Sequence, residues 1–531
     1  MDVYVQETLI RQEIAEAQQR AARNHLLRHA PPQRTQRSVW ALVSRLFRRQ
    51  AQPARGRSAP PTATPRPGAA RTRLLLDGPI VSTLLRLGAP NVVVNVLLIA
   101  VTASVDAHFV GQLGSSALAG LALVFPLIML MQQMANGSAG AAIASAIARA
   151  IGAGRRDDAT ALVVHAVVVA VGMATIFTTV ALTAGPTFYR LMGGSGPTLV
   201  AAVEYSNVVF AGAVAYWVLG ALTNVVRGAG QAAVLATVYV AAEILHVLLV
   251  PALVFGLGPI PALGITGAGL ATVISFAVSS LVLAVYVVSG RTVIVPSFRT
   301  VRLSRRLFVE ILRVGAPMSL QPILRNLTLA VLTGFVGTLG PTALAAFGAA
   351  VRLEYVQIPL AFGLGAGVLA MVGTNLGAGR SRRAERITWT ATALAVGVTG
   401  ATGIVALAWP GLWVGLFSGS PAVQTLAADY LRIVAVTYPF LGLGFMMSSA
   451  FQAAGRPLWP LVATCIHVVV VAAGGSIVVH ATDSGVAGLA VVNAAGLIAY
   501  GVTLAIVFRA RLARAWRARE VLAPEPERKI A

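Results

Sequence analysis

Twelve apolar runs, at about 84–111, 117–148, 160–184, 200–227, 232–256, 264–289, 308–337, 343–374, 387–410, 424–452, 458–480 and 486–509, dominate this sequence. Each exceeds the roughly 20 residues that cross about 30 Å of hydrocarbon at 1.5 Å of rise per residue. A backbone in lipid must satisfy its own hydrogen bonds, so runs of this length are read as helices. The chain is therefore expected to be an all-α polytopic membrane protein. Only 11% of its 531 residues are charged, against about 25% in soluble proteins, and the mean hydropathy is +0.78.

The runs fall into two copies. Leu87 to Gly120 opens Leu-Gly-Ala-Pro, contains Phe109-Val110-Gly111 and ends Leu-Gly-x-x-Ala-Leu-Ala; Gly315 to Ala346 repeats the Gly-Ala-Pro opening, Phe335-Val336-Gly337 and the same ending. Gly152-Ala153-Gly154-Arg155 returns as Gly377-Ala378-Gly379-Arg380, a spacing of 225 that also relates Leu191 to Leu416, Tyr205 to Tyr430 and Gly230 to Gly455. One offset held across four landmarks means duplication, a recurrent construction of secondary transporters. Four regions follow: a basic, largely disordered cytoplasmic extension (1–80), a first six-helix lobe (81–296), a second (297–510) and a basic cytoplasmic tail (511–531). The extension is rich in Arg, Pro, Ala and Thr from Pro31 to Pro79 and lacks the apolar residues to fold alone. Pro90 and Pro317 are placed early in each lobe's first helix, where a missing amide costs least.

The net charge of +23 could suggest nucleic acid, but the arginines lie in loops and tails between apolar runs. That is the pattern of cytoplasmic loops, and no nucleic-acid partner is expected. Arg149, Arg155 and Arg156 follow run 2, Arg291, Arg299, Arg302, Arg305 and Arg306 follow run 6, and Arg380, Arg382, Arg383 and Arg386 follow run 8; the alternate loops carry none. Both termini should face the cytoplasm, in a multi-pass protein of the cell's inner (plasma) membrane. The single cysteine, Cys465, excludes an intrachain disulfide, and no GxxxxGK[ST], HExxH or CxxC pattern occurs. No enzymatic activity, cofactor or metal is expected.

The first run carries one carboxylate, Asp106, which the copy lacks. An ionisable group there costs on the order of 3 kcal/mol and usually faces a cavity or a partner. Glu243 and His246, three apart on one face of the fifth run, could complete a protonatable cluster with Asp106 if that helix faces the first. Asn91, Asn95, Gln132, Asn136, Asn224 and Thr272 are the other polar candidates of the first half for lining a cleft. Gln321, Arg325, Arg352 and Glu354 are those of the second, with an Arg–Glu pairing expected between its first two helices.

In this order, the GAP-opened run with Val105-Asp106 before Phe109-Val110-Gly111-Gln112-Leu113-Gly114, the paired Gly-Ala-Gly-Arg loops, Arg227-Gly228-Ala229-Gly230 and Gly264-Ile265-Thr266-Gly267-Ala268-Gly269-Leu270-Ala271-Thr272 resemble the multidrug and toxic compound extrusion (MATE) transporters over about residues 84–510. The resemblance implies twelve helices in two homologous six-helix lobes around a central cleft. It also implies export of lipophilic, often cationic small molecules in exchange for H⁺ or Na⁺, and it matches Asp106 to the carboxylate of cation coupling. His246-Val247-Leu248-Leu249-Val250-Pro251 departs from the family's Asn-x-x-x-Asp-Pro, and Arg325 stands near a glutamate of one branch. Ala349 to Glu354 looks more like the DNA-damage-inducible branch.

The leading expectation is a proton-coupled antiporter acting as a monomer among membrane lipids, with protonation of Asp106 biasing the lobes between inward-open and outward-open states. A flippase for lipid-linked precursors is the alternative, supported by Arg325 and Arg352. A purely structural scaffold is disfavoured by the inward-pointing charges.

Overall fold

The computed structural model describes residues 67–259, 261–289 and 302–522. The extension before Pro67, Arg291 and Arg299 of the basic loop, and the end of the tail lie outside the described residues, as does the side chain of Asn95.

Nine helices among the described residues are long and apolar enough to cross a membrane. Two bent pairs raise the number to eleven, and the 32-residue helix Ile80–Gly111 makes the twelfth. In chain order these spans are α1 (Ile80–Gly111), α2 (Ser115–Gly152), α3 (Arg156–Leu191), α4 (Gly196–Ala211 and Ala213–Gly228), α5 (Ala232–Val254) and α6 (Gly264–Val288) in the first lobe. The second lobe holds α7 (Arg305–Gly337), α8 (Pro341–Gly377), α9 (Ser381–Ala408), α10 (Pro421–Ala435 and Tyr438–Ala453), α11 (Leu458–Ala481) and α12 (Gly485–Ala518).

The duplication is visible in backbone detail. After α2, Gly154 takes φ +71° and the Arg155 amide donates to the Ala150 carbonyl; after α8, Gly379 takes φ +78° and the Arg380 amide donates to the Asn375 carbonyl. This left-handed closure of a helix end is cheap only for glycine. The bends of α4 (48°, at Gly212) and α10 (50°, at Val436 and Thr437) fall at matching places, although the sequence reading took both as unbroken runs. Gly212 stands at the first bend and Pro439 just after the second, residue types at which helices commonly kink, and nothing in the hydropathy marks the breaks.

The lobes meet where the arginine-rich loops are. A Cβ added at Gly152 of α2 would lie 2.0 Å from the Thr374 carbonyl oxygen of α8, and one at Gly377 would lie 2.2 Å from the Arg149 carbonyl oxygen. These two contacts are related by the 225-residue repeat, so the seam is a pseudo-two-fold contact of backbone on backbone. Such close approach between helices in lipid needs small residues. Arg149 ties the seam further, donating to Glu310 of α7 at 3.3 Å and to the Ala453 carbonyl at 3.0 Å.

Two expectations need correction. Pro67–Asp77, read as part of a disordered segment, is a helix with Leu75 buried. Asn375 and Arg380 bind its last carbonyls at 3.0 and 3.1 Å, and Arg380 pairs with Asp77 at 2.5 Å. Those partners come from another part of the chain, which composition does not reveal. Pro90 and Pro317 lie well inside α1 and α7, which begin further upstream than the apolar runs suggest.

Candidate functional site

In the first lobe α5 packs against α1 and α6. His246 Nε2 lies 3.0 Å from Asp106 Oδ1, with the two residues only 3% and 5% exposed. One turn back on α5, Glu243 is held separately: Thr102 of α1 donates its hydroxyl to both carboxylate oxygens, at 3.0 and 3.1 Å. Thr102 and Asp106 are four apart on one face of α1, as Glu243 and His246 are three apart on α5, so the helices meet along two rungs. The space beside them is small, a cavity of about 10 Å³ to which Tyr239, Thr272 and Ser275 contribute. Apart from that edge position, Thr272 donates to the Ala268 carbonyl of its own helix at 3.1 Å.

The remaining candidates of this lobe form a second group near the seam. Arg227, 5% exposed, donates to Asn91 Oδ1 at 3.1 Å and to Asn224 Oδ1 at 2.8 Å, and stands 5.4 Å over the Phe362 ring of α8. Asn224 reaches the Asn136 carbonyl at 3.2 Å, and Asn136 donates to the Tyr216 hydroxyl at 2.8 Å. These asparagines hold a buried arginine in place between the lobes.

The second lobe contains a much larger cavity, about 120 Å³, lined by residues of α7, α8, α10, α11 and α12 and by Gln133 of α2. Gln132, the glutamine expected there, is not among the lining residues; Gln133 is, within a π-helical stretch (Gln133–Ser138) that rotates the register of α2. Arg325 and Glu354 both line the cavity but form no ion pair, which overturns the expected pairing. The Arg325 guanidinium lies over Phe445 at 5.0 Å, and Glu354 accepts from Asn493 Nδ2 at 3.2 Å. Arg352 is not at the cavity: it is exposed and stands 4.9 Å over Phe417. Two residues from Glu354 on a helix, it must point to another face. Gln321 is buried and donates to Met318 Sδ at 3.0 Å, away from the lining set.

Sequence reasoning missed Thr102, Asn493 and Phe445, whose importance lies in contacts across 141, 139 and 120 residues of chain. A polar residue in an apolar run is the signal that could have drawn attention to Asn493.

A family model, MatE, matches residues 92–252 and 317–478, one match per lobe. The FAD transporter of Shewanella oneidensis is 26% identical over 389 residues, covering 73% of this chain and 85% of that protein. The multidrug export protein MepA of Staphylococcus aureus is 24% identical over 382 residues, covering 71% and 82%. Among solved structures, an outward-facing conformation of a multidrug resistance MATE family transporter of the MOP superfamily superposes with a TM-score of 0.77 at 25% identity, covering 86% of this chain and all of that one.

Proposed function

The chain belongs to the MatE family of membrane transporters, and from that premise we propose that it exports small lipophilic, often cationic molecules by alternating access, in exchange for H⁺ taken up at Asp106. The observation that carries this reading is the buried Asp106–His246 contact, 3.0 Å long and bridging α1 and α5. A carboxylate inside a span is costly, and one that a proton can neutralise gives the two conformations a differential affinity for that proton. Its partner is a ring nitrogen. Hard metal cations prefer shells of oxygen ligands, so the histidine favours H⁺ over Na⁺ as the coupling ion.

The closed seam at the arginine-rich ends supports an outward-facing state, with those ends and both termini cytoplasmic in a plasma membrane. Relatives that carry a flavin nucleotide or diverse drugs show how widely substrates vary on this scaffold. The lipid-linked precursor reading loses one of its two arginines, since Arg352 stacks on Phe417 outside the cavity.

The test is export in vesicles under an imposed pH gradient, with variant and wild type matched for membrane abundance. Asp106→Asn keeps shape and hydrogen bonding but removes titration, and should insert normally while export falls to background. Gradient-driven export by this variant would overturn the coupling role.

A further inference from the structure

The second lobe's cavity holds more unspent polar capacity than any site the transport reading uses. None of the five guanidinium N–H groups of Arg325 donates to a described acceptor, and the group lies 5.0 Å over the Phe445 ring. Glu354 spends Oε1 on Asn493, which also donates to the Tyr430 hydroxyl at 2.9 Å and is thereby held in place; Oε2 has no partner among the described residues. His467, 8% exposed, lines the same space, with its Nε2 buried. Tyr500 and Phe445 supply aromatic walls.

Arg325 and Glu354 are the charged residues lining this space, one of each sign and too far apart to satisfy each other. Half-buried charges that do not pair with each other are open to a partner from elsewhere, and the first-lobe carboxylates Glu243 and Asp106, each held by a protein partner, show the contrast. A simple cation would answer Glu354 and leave Arg325 facing like charge; a simple anion would do the reverse. Discrimination of that kind comes from the uncompensated charge as much as from the matched one.

We propose that the cavity of the second lobe is a binding site for small amphoteric aromatic molecules, whose carboxylate meets Arg325, whose ammonium meets Glu354, and whose ring lies against Phe445 and Tyr500. The fork of a guanidinium suits a carboxylate bidentately. This deepens the export reading, resting on it for the direction in which the ligand travels but not for its recognition.

The experiment is equilibrium binding to the purified full-length protein, with tritiated L-tryptophan as the probe. L-tryptophan methyl ester, a cation only, and N-acetyl-L-tryptophan, an anion only, compete against it. Wild type should favour the zwitterion over both analogues by about tenfold or more. Arg325→Gln should erase the preference over the ester, Glu354→Gln the preference over the acetyl derivative, and Arg325→Lys, which keeps the charge, should retain a preference over the ester. Absence of saturable tryptophan binding, equal affinity of wild type for the three compounds, or equal loss of all three in both variants would overturn the proposal. No gradient is applied, so the result is independent of whether Asp106 couples export to protons.

Discussion

The two lobes share their backbone and differ in where they keep charge. At positions related by the repeat, with a spacing of 226 in the first helix of each lobe, as from Phe109 to Phe335, and 225 beyond it, Asp106 corresponds to Leu332 and His246 to Val471, and that leucine and valine are both buried in one apolar cluster of the second lobe. In the other direction, His467 corresponds to Ala242 and Arg325 to Ile99. Helix ends, bends and seam contacts were retained in both copies, while the polar chemistry went to a tight protonatable pair in one lobe and an open cavity in the other. The scaffold needs the shared features for packing, and nothing in that packing requires the same charges twice. Duplication thus gave this chain two polar sites of different kind on one frame.

The largest effect should come from exchanging the lobes' chemistry. Asp106→Leu combined with Leu332→Asp restores the number of carboxylates but not their surroundings, since Val471 offers no partner. Export under a pH gradient should stay at background, and recovery would break the claim that the first lobe alone couples. His246→Val, which copies the second lobe, should reduce export several-fold without abolishing it, because Asp106 keeps its titration and loses a partner whose hydrogen bond to a charged group is worth about 1.5–3 kcal/mol.

The backbone half of the comparison has its own test. Gly154→Ala and Gly379→Ala put a side chain into open space at positive φ, so each should cost about 1 kcal/mol of stability from conformation alone. Thermal unfolding of the two variants should shift by equal amounts, and a large inequality would mean that the two ends are not equivalent. The smallest effect is expected at Arg352, where Arg352→Gln removes an exposed cation–π contact worth about 0.5–1 kcal/mol. Its transport and ligand preference should match wild type, in contrast to Arg325 on the neighbouring helix.

Much of this architecture was legible in the chain itself. Run lengths set the number of spans because the hydrocarbon thickness and the helical rise are fixed, and the 225-residue spacing set the two lobes. Asp106 stood out because a carboxylate within a span has a cost that an apolar neighbour does not. The spacing of Glu243 and His246 gave their shared face, since a helix puts residues three apart on one side.

What the sequence left open depended on contacts between distant segments. Whether α5 turns that face toward Asp106, whether Gln132 or Gln133 reaches a cavity, and whether Arg325 meets Glu354 or Phe445 are matters of rotation and register between packed helices. Local pattern fixes a helix's own faces, but only tertiary packing decides what each face meets. For ionisable groups in a membrane that meeting matters most, because a charge without a partner there is costly and one that finds its partner inside the protein becomes a closed pair.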